Sequence, residues 1–149
     1  MTSRKSHSAS SEWMVRPGSS VRADKEIAAH YITERFPVVA ETMTIGEVHT
    51  YIAEFAHEFR AMDYIYVVNP TEKLVGVLSM RDLFLHPKKV QVKSVMQRDI
   101  ITISLETRRE KIARIAMEYN LRSIPVIQNK KLVGVVQTHK VLHTINRVL

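Results

Sequence analysis

The chain has 149 residues, of which 45% are hydrophobic and 25% charged, and these proportions suit one globular domain or two small modules that share a core. It contains no cysteine, which excludes disulfide bonds, zinc–thiolate sites and cysteine nucleophiles. The formal net charge is +7, no apolar run approaches the roughly 20 residues that span a bilayer, and the N-terminus has no apolar signal region, so we expect a cytoplasmic protein that does not insert into a membrane.

The first 23 residues are rich in serine, arginine and lysine and end near a Pro-Gly-Ser-Ser stretch at 17–20. This composition offers little apolar surface that a packed element could bury. We therefore predict that residues 1–23 form a mobile N-terminal tail or a linker to a preceding segment.

After this tail, the same order of elements is predicted twice. Each copy opens with a short strand, at residues 36–40 and 100–103. A helix follows, and each helix has threonine and glutamate at the spacing of a capping box: Thr44 with Glu47, and Thr107 with Glu110. Apolar residues at helical spacing predict one buried face on each helix, formed by Val48, Tyr51, Ile52, Phe55, Phe59 and Met62 in the first and by Ile112, Ile115, Ala116 and Tyr119 in the second.

Two further strands and a closing helix complete each copy. The strands are joined by polar turns at residues 69–73 and 128–131, whose compositions are typical of turns. The closing helices are predicted at residues 81–86, where Pro87 stops the helix, and from residue 138 to about 148.

The two copies define the domain organisation. Thr44 and Thr107 are 63 residues apart, whereas Gly76 and Gly134 are 58 apart, so the first copy carries about five extra residues. Neither copy alone is large enough to bury a good core. The predicted fold class is therefore α/β (α+β), with two β-α-β-β-α repeats packed into one pseudo-two-fold module; repeat 1 with its lead-in segment occupies residues 24–90, and repeat 2 occupies residues 91–149.

Two motifs within this repeat resemble a known family. Repeat 2 has Ile-Pro-Val at 124–126, and repeat 1 has Gly-Val-Leu-Ser-Met-Arg-Asp at 76–82. Together with the tandem repeat, over about residues 31–147, they resemble the cystathionine-β-synthase (CBS) domain, two of which form a CBS pair or Bateman module. Residues 28–34, the long first helix and the Val-Met pair at 95–96 further resemble the cytosolic CBS region of MgtE-type magnesium transporters. This likeness implies a regulatory region at the cytosolic face of the membrane, attached to a transmembrane domain that it helps to gate in response to magnesium and adenine nucleotide.

The start of the last helix of repeat 1 carries the candidate ligand site. Ser79 and Asp82 are spaced i, i+3 where free N–H groups and the helix dipole favour a phosphate. The resemblance implies that these two residues contact the ribose of an adenine nucleotide (AMP, ADP or ATP), and Arg81 is placed to reach a phosphate. The alternative is that Ser79 and Asp82 only cap the helix. The candidates for the wall around the base are Val38, Val39, Ile65 and Tyr66, with Tyr64 either stacking on the base or filling space.

Repeat 2 has different residues at the same two positions. Gln137 replaces the serine and Lys140 replaces the aspartate. A lysine has no acceptor and cannot hold a ribose diol in the same way. We therefore predict one adenosine site per chain, with Lys140 either contacting the phosphates of that ligand or simply solvated.

Neither a metal site nor an enzyme activity is predicted. The resemblance implies magnesium sensing through acidic residues, but residues 107–111 and 138–140 read Thr-Arg-Arg-Glu-Lys and Thr-His-Lys, which are poor in the oxygen ligands that a hard cation needs. Mg²⁺ is therefore expected only together with a nucleotide. Nothing in the sequence resembles a nucleophile–base pair or a glycine-rich phosphate loop, so we expect no enzyme.

The charge distribution leaves alternatives open for partners. Residues 36–86 carry three Lys and Arg against seven Asp and Glu, a charge of −4, whereas residues 87–149 carry thirteen against four, a charge of +9. We expect a homodimer that acts on a transmembrane transporter domain or another effector domain, and we do not expect nucleic acid. The alternatives are a ligand-free dimerisation scaffold and a basic module for nucleic acid or an anionic surface, with a patch made of Lys88, Lys89, Lys93, Arg98, Arg108, Arg109, Lys111 and Arg114.

Overall fold

The computed structural model describes residues 25–146, so the predicted tail at 1–23 and the end of the last predicted helix lie outside the described residues. In the described range, the α-helices are α1 (Ile45–Phe55), α2 (Met80–Leu85), α3 (Val92–Val95), α4 (Arg109–Tyr119) and α5 (Thr138–Asn146). The strands of the same range are β1 (Ile32–Thr33), β2 (Val38–Ala40), β3 (Tyr64–Val68), β4 (Leu74–Ser79), β5 (Ser123–Gln128) and β6 (Lys131–Gln137), and short 3₁₀ helices lie at Ala28–His30 and Ala56–Glu58. Within the described range, no helix combines the length and the apolar character needed to cross a membrane.

Repeat 1 forms a three-stranded sheet in the order β2-β3-β4. Strand β2 runs parallel to β3, with Val38 opposite Tyr66, and β3 runs antiparallel to β4, with Tyr64 opposite Ser79. Helices α1 and α2 pack against one face of this sheet. The buried residues of that interface include Val39, Ile45, Val48, Tyr51, Ile65, Val67, Leu78 and Leu83.

Repeat 2 forms a second sheet in the order β1-β6-β5, and its first predicted strand is wrong in extent. Of residues 100–103, only Ile103 pairs, in a single parallel bridge with Val126. A further pairing before Ile103 would need a backbone N–H donor at residue 125, and Pro125 has none. In repeat 1 the corresponding residue is Tyr66, whose N–H donates to Pro37 O at 3.0 Å, and there β2 forms.

Each repeat is preceded by a lead-in segment, which contains Ile32 and Thr33 for repeat 1 and Gln97 for repeat 2. Each lead-in segment pairs with the sheet of the other repeat. Strand β1 precedes repeat 1, yet it pairs antiparallel with β6 of repeat 2, with Ile32 opposite Val136. Correspondingly, Gln97 precedes the helix of repeat 2, yet it pairs with Val77 of β4 through two backbone hydrogen bonds of 2.9 Å. Each sheet is therefore completed by residues that belong in sequence to the other repeat.

The exchange produces a core that both repeats share. Tyr66 is 1% exposed, and Phe36, which is fully buried, packs edge-on against its ring with the centroids 5.5 Å apart. The remaining members of this cluster are Val38, Ala61, Val68, Leu132 and Val135. The predicted packing of two α+β repeats into one pseudo-two-fold module is confirmed.

The helix starts differ between the repeats. The capping box of α1 is present, because Glu47 N donates to the Thr44 hydroxyl at 3.1 Å and Thr44 N donates to the Glu47 carboxylate at 2.8 Å. The predicted box at Thr107 is wrong: α4 begins at Arg109, and the Thr107 hydroxyl instead accepts from Ser104 N at 3.0 Å. The exchanged lead-in explains the difference, since Glu26 O accepts from Arg109 N at 2.7 Å and satisfies a free N–H of the helix start.

The predicted apolar face of the first helix is also too long. Helix α1 ends at Phe55 and passes into the 3₁₀ turn Ala56–Glu58. Phe59 still reaches the core, with 9% of its surface exposed, but it does so from the segment that follows the helix.

Candidate functional site

The start of α2 forms a complete capping box. Asp82 N donates to the Ser79 hydroxyl at 3.2 Å, and Ser79 N donates to Asp82 Oδ2 at 2.8 Å. The capping alternative is therefore present. The cap uses only one oxygen of the half-exposed Asp82 carboxylate, which has about four lone-pair sites. Capping therefore leaves acceptor sites free and also orients the carboxylate that the resemblance assigns to ribose binding.

A cavity opens between the repeats next to this helix start. Strand register places Tyr64 opposite Ser79 and Tyr66 opposite Val77. Side chains of directly opposed residues lie on the same face of a sheet. The cavity has a volume of about 110 Å³ and is lined by Tyr64, Tyr66, Val77, Asp99, Ile100, Ile101, Leu121, Ser123 and Pro125.

Tyr66, one of the residues that line this cavity, carries an unsatisfied hydroxyl. The hydroxyl is buried and has no hydrogen-bond partner among the described residues. Burial, followed by the neighbouring Tyr64 and Asp63, raises the pKa of Tyr66 well above its ordinary value of 10.0. The phenol is therefore a neutral group that can donate a hydrogen bond throughout the physiological pH range, and leaving it unsatisfied costs about 1–3 kcal/mol.

Three of the predicted wall residues lie elsewhere. Val39 and Ile65 are fully buried between the sheet and α1, and Val38 is 4% exposed in the shared core. Their side chains pack against other core residues and do not line the cavity. Of the predicted wall, the structure brings Tyr64 and Tyr66 to the cavity.

Six of the nine residues that line the cavity come from repeat 2, and the sequence did not indicate them. Residues 100 and 101 are the start of a predicted strand of the second sheet, and Asp99 directly precedes them. They reach repeat 1 because Gln97 pairs with Val77, which directs the residues after it across the sheet of the other repeat. The signal that would have identified them is the exchange of the lead-in segments, which follows from tertiary pairing and not from any local pattern.

A wider cleft adjoins the cavity. Its volume is about 590 Å³, and Asp63 and Arg122 in its lining are the chain neighbours of Tyr64 and Ser123 in the cavity. The two repeats are joined there by the Ser123 hydroxyl, which donates to Asp63 Oδ2 at 3.1 Å. The full lining is Arg60, Met62, Asp63, Arg122, Gln137, Thr138 and His139, and its two arginines were not predicted as site residues.

The start of α5 offers no equivalent of the Ser79–Asp82 pair. The Gln137 amide donates to Arg60 O at 3.1 Å, and the Thr138 hydroxyl donates to Leu121 O at 2.8 Å. Lys140 is exposed one turn further on, and Arg81 is likewise exposed at the start of α2. The side chains at the start of α5 therefore join segments of the fold and present no carboxylate.

Ile100 of the cavity lining has a larger and more deeply buried counterpart on the other side of the pseudo-two-fold axis. Thr33 pairs with Val135 in the same way that Gln97 pairs with Val77, so Thr33 and Gln97 occupy equivalent positions. Phe36 and Ile100 each lie three residues further along the chain and are therefore equivalent as well. Ile100 is half-buried and lines the cavity, whereas Phe36 is fully buried with its ring against Tyr66. An aromatic ring thus fills the space on the side of repeat 2.

The predicted basic patch is partly neutralised. Arg108 forms an ion pair with Glu26 and lies 3.8 Å from a Glu110 oxygen, and Arg109 lies 3.5 Å from the other Glu110 oxygen. Within residues 25–146, no three His, Asp or Glu side chains are grouped as a metal site would require.

The sequence and the fold have clear relatives. The family model of the CBS domain matches residues 26–88 and 92–147. The magnesium transporter MgtE of Thermus thermophilus is 31% identical over 122 residues, which cover 81% of this chain and 27% of that protein. The chain thus spans about a quarter of the length of this curated relative.

Two solved structures show the same fold. The cytosolic domain of the Mg²⁺ channel MgtE in complex with ATP is 30% identical, with a TM-score of 0.79 over 81% of this chain and 49% of that one. CBSX2 in complex with AMP is 20% identical, with a TM-score of 0.68 over 83% of this chain and 98% of that one, and this likeness concerns the fold alone.

Proposed function

The chain belongs to the CBS domain family, as a tandem pair related to the cytosolic region of MgtE, and from this premise we propose that it is a regulatory module that binds one adenine nucleotide between its repeats. The observation that carries the proposal is the cavity beside the start of α2, with the unsatisfied hydroxyl of Tyr66 in its lining. A purine ring presents acceptor nitrogens at its edge and apolar faces to Tyr64, Val77 and Pro125. Binding it there would remove the cost of the unpaired hydroxyl.

The rest of the nucleotide extends out of the cavity in this proposal. A volume of about 110 Å³ suits a base and not a whole nucleotide. The Asp82 carboxylate, oriented by the cap, accepts from the ribose hydroxyls. The phosphates then lie in the wide cleft, where the planar guanidinium groups of Arg60 and Arg122 donate hydrogen bonds to them. Arg81 and Lys140 are further exposed cations. Any Mg²⁺ enters with the phosphates, which provide its ligands.

One nucleotide per chain is expected. Phe36 fills the space that corresponds to the cavity, and α5 begins without a carboxylate. These two features support a single site formed by the start of α2 and the lead-in of repeat 2.

The proposed output is regulation of a partner domain and not catalysis. A transporter of the MgtE type, whose cytosolic domain resembles this chain, would place the module on the cytosolic side of a transmembrane transporter domain. A homodimer is part of this proposal, because Phe84 and Leu85 of α2 are 79% and 64% exposed and form an apolar surface suited to a second copy.

The test is a calorimetric titration of the purified chain with AMP, ADP and ATP, each with and without Mg²⁺. Saturable binding near one nucleotide per chain, weakened in Asp82→Ala and unchanged in Lys89→Ala, is the expected result. Lys89 is an exposed residue outside the cavity and the cleft. The absence of binding for every nucleotide would overturn the proposal and favour the ligand-free dimerisation scaffold.

A further inference from the structure

A third pocket lies at the opposite end of the sheets from the cavity of the proposed nucleotide site. The cavity opens at the start of β3 and the end of β4, whereas this pocket lies beside the turn that joins them. It has a volume of about 310 Å³ and is lined by Asn69, Lys73, Leu74, Val75, Arg98, Ile100, Thr102, Ile127 and Lys130. Three of its lining residues are cations, and none is an acid.

The two hairpin turns meet at this pocket. Lys73 forms an antiparallel bridge with Lys131, and Leu74 N donates to Lys130 O at 3.1 Å. Lysines from both repeats are thereby held close together, although like charges repel. Such an arrangement is unfavourable unless an anion offsets it.

Both turns are ordered by local hydrogen bonds and backbone conformation. The Asn69 side-chain oxygen accepts from Thr71 N and Lys73 N, each at 3.0 Å. In the second turn, Asn129 and Lys130 have φ values of 53° and 67°, in the left-handed region that a lysine rarely adopts. A glycine would relieve this conformation but would remove the cation, so Lys130 is held in a costly conformation at the pocket edge.

The third cation comes from the exchanged lead-in of repeat 2. Arg98 donates through Nη2 to Lys93 O at 3.0 Å, which restrains its guanidinium group. No carboxylate among the described residues lies within ion-pair distance of Lys73, Arg98 or Lys130. In the lead-in segment of repeat 1, the residue equivalent to Arg98 is Glu34, which carries the opposite charge. The positive charge is thus a property of this pocket and not a requirement of the fold.

We propose that this basic pocket, formed by Lys73, Arg98 and Lys130 around an apolar floor, binds a phosphate monoester with a small apolar group. Lysine and arginine are donors without acceptors, so the ligand must supply acceptor oxygens and negative charge. The floor of Leu74, Val75 and Ile127 accommodates the organic part. The same chemistry is present in a soluble phosphate monoester and in the headgroup of phosphatidic acid.

The experiment uses the full chain with two probes. Phenyl phosphate is titrated while amide ¹H–¹⁵N shifts of Leu74, Thr102 and Lys130 are followed, with phenol as the uncharged control. In parallel, co-sedimentation is measured with phosphatidylcholine vesicles with and without phosphatidic acid. Saturable binding of phenyl phosphate assigns a soluble ligand, and binding confined to the phosphatidic acid vesicles assigns a lipid headgroup. Binding in neither arm overturns the proposal.

Three matched variants test the site. Arg98→Gln and Lys130→Gln are each expected to weaken binding about tenfold, as for the loss of a charge-assisted hydrogen bond. Lys89→Gln removes the same charge at an exposed position outside the pocket and is expected to change the affinity less than twofold. An equal effect of all three substitutions would show a non-specific charge effect and overturn the proposal. Nucleotide titration of Arg98→Gln, which is expected to match the unsubstituted chain, separates this site from the proposed nucleotide site.

Discussion

At the scale of single residues, Asp82 and Tyr66 have different relations to the proposed site. Asp82 is satisfied by the protein, through the cap, and is half-exposed. Tyr66 is buried and unsatisfied within the described part of the chain. One residue therefore contributes to stability whether or not a ligand is present, while the other costs stability until a ligand arrives.

Substitutions in the cap separate these roles. Asp82→Ala should weaken nucleotide binding about tenfold or more, because it removes the acceptor for the ribose hydroxyls. Ser79→Ala keeps that carboxylate but loses the N-cap, and should lower the free energy of unfolding by about 0.5–2 kcal/mol with a smaller effect on affinity. Calorimetric titration and urea unfolding measure the two effects. If Lys140→Ala abolished binding and Asp82→Ala did not, the assignment of the ribose site would be wrong.

Tyr66→Phe should change stability and affinity in opposite directions. Removing an unsatisfied buried hydroxyl should raise the free energy of unfolding by about 1 kcal/mol, and the loss of a donor to the base should weaken nucleotide binding several-fold. Tyr64→Phe is the matched control, because Tyr64 is only half-buried at the same cavity. A variant that is both less stable and unchanged in affinity would contradict the proposed donor role.

The pH dependence of stability provides another check on Tyr66. Burial raises its pKa above the ordinary value of 10.0, so the folded state favours the neutral phenol. Below about pH 10 the phenol is neutral in both the folded and the unfolded state; as the pH rises above that value the unfolded state loses the proton first, and the free energy of unfolding falls. In urea unfolding between pH 8 and about pH 11, the stability advantage of Tyr66→Phe over the unsubstituted chain should therefore increase with pH. A constant difference across this range would contradict the assignment.

At the scale of elements, the limits of sequence-based prediction have identifiable causes. The capping boxes at Thr44 and Ser79 depend on residues three apart in the chain, and both are present. The box predicted at Thr107 is absent because a carbonyl of the distant lead-in, Glu26 O, accepts from the start of the helix. The repeat pattern predicted the fold and the position of Asp82, whereas the residues of repeat 2 in the cavity depend on exchanged pairing that no local pattern encodes.

The two strand glycines mark where the exchanged lead-ins cross the sheets. A Cβ on Gly134 would lie 3.0 Å from Ile32 Cβ, and one on Gly76 would lie 2.3 Å from Met96 Sδ and 2.7 Å from Met96 Cγ. Because Met96 Cβ would also lie 3.1 Å away and Met96 is buried, the methionine cannot make room by moving only the end of its side chain. Gly134→Ala and Gly76→Ala should therefore each lower the free energy of unfolding by about 1–3 kcal/mol, with the larger loss for Gly76→Ala. Urea unfolding of both variants measures the order, and a larger loss for Gly134→Ala would contradict this explanation.

At the scale of the whole molecule, the charge asymmetry concerns how two copies would associate. Residues 36–86 carry a charge of −4 and residues 87–149 a charge of +9. A head-to-tail pair would place opposite charges together, while a head-to-head pair would place the basic repeats side by side. In a head-to-head pair, phosphates bound at the basic repeats would reduce the repulsion.

A substitution in the exposed apolar surface of α2 tests the proposed homodimer. Phe84→Asp should shift the chain from dimer to monomer in sedimentation velocity, because it places a charge in the centre of the proposed interface. The folded monomer should be retained, since Phe84 is 79% exposed. Met117→Asp, at a 74% exposed position on α4, is the matched control and should leave the dimer intact. Dissociation by Met117→Asp alone would move the interface to α4.

The exchange of lead-ins also has a consequence for the order of events during protein synthesis. Ile32 leaves the ribosome about a hundred residues before its partner Val136, and Val77 must wait for Gln97. The first sheet can close soon after it is made, but the segment ahead of it stays unpaired until the chain is nearly complete. Closing so long a loop carries an entropic cost that is recovered only when β6 forms, so the final cooperative step of folding should await the last strand.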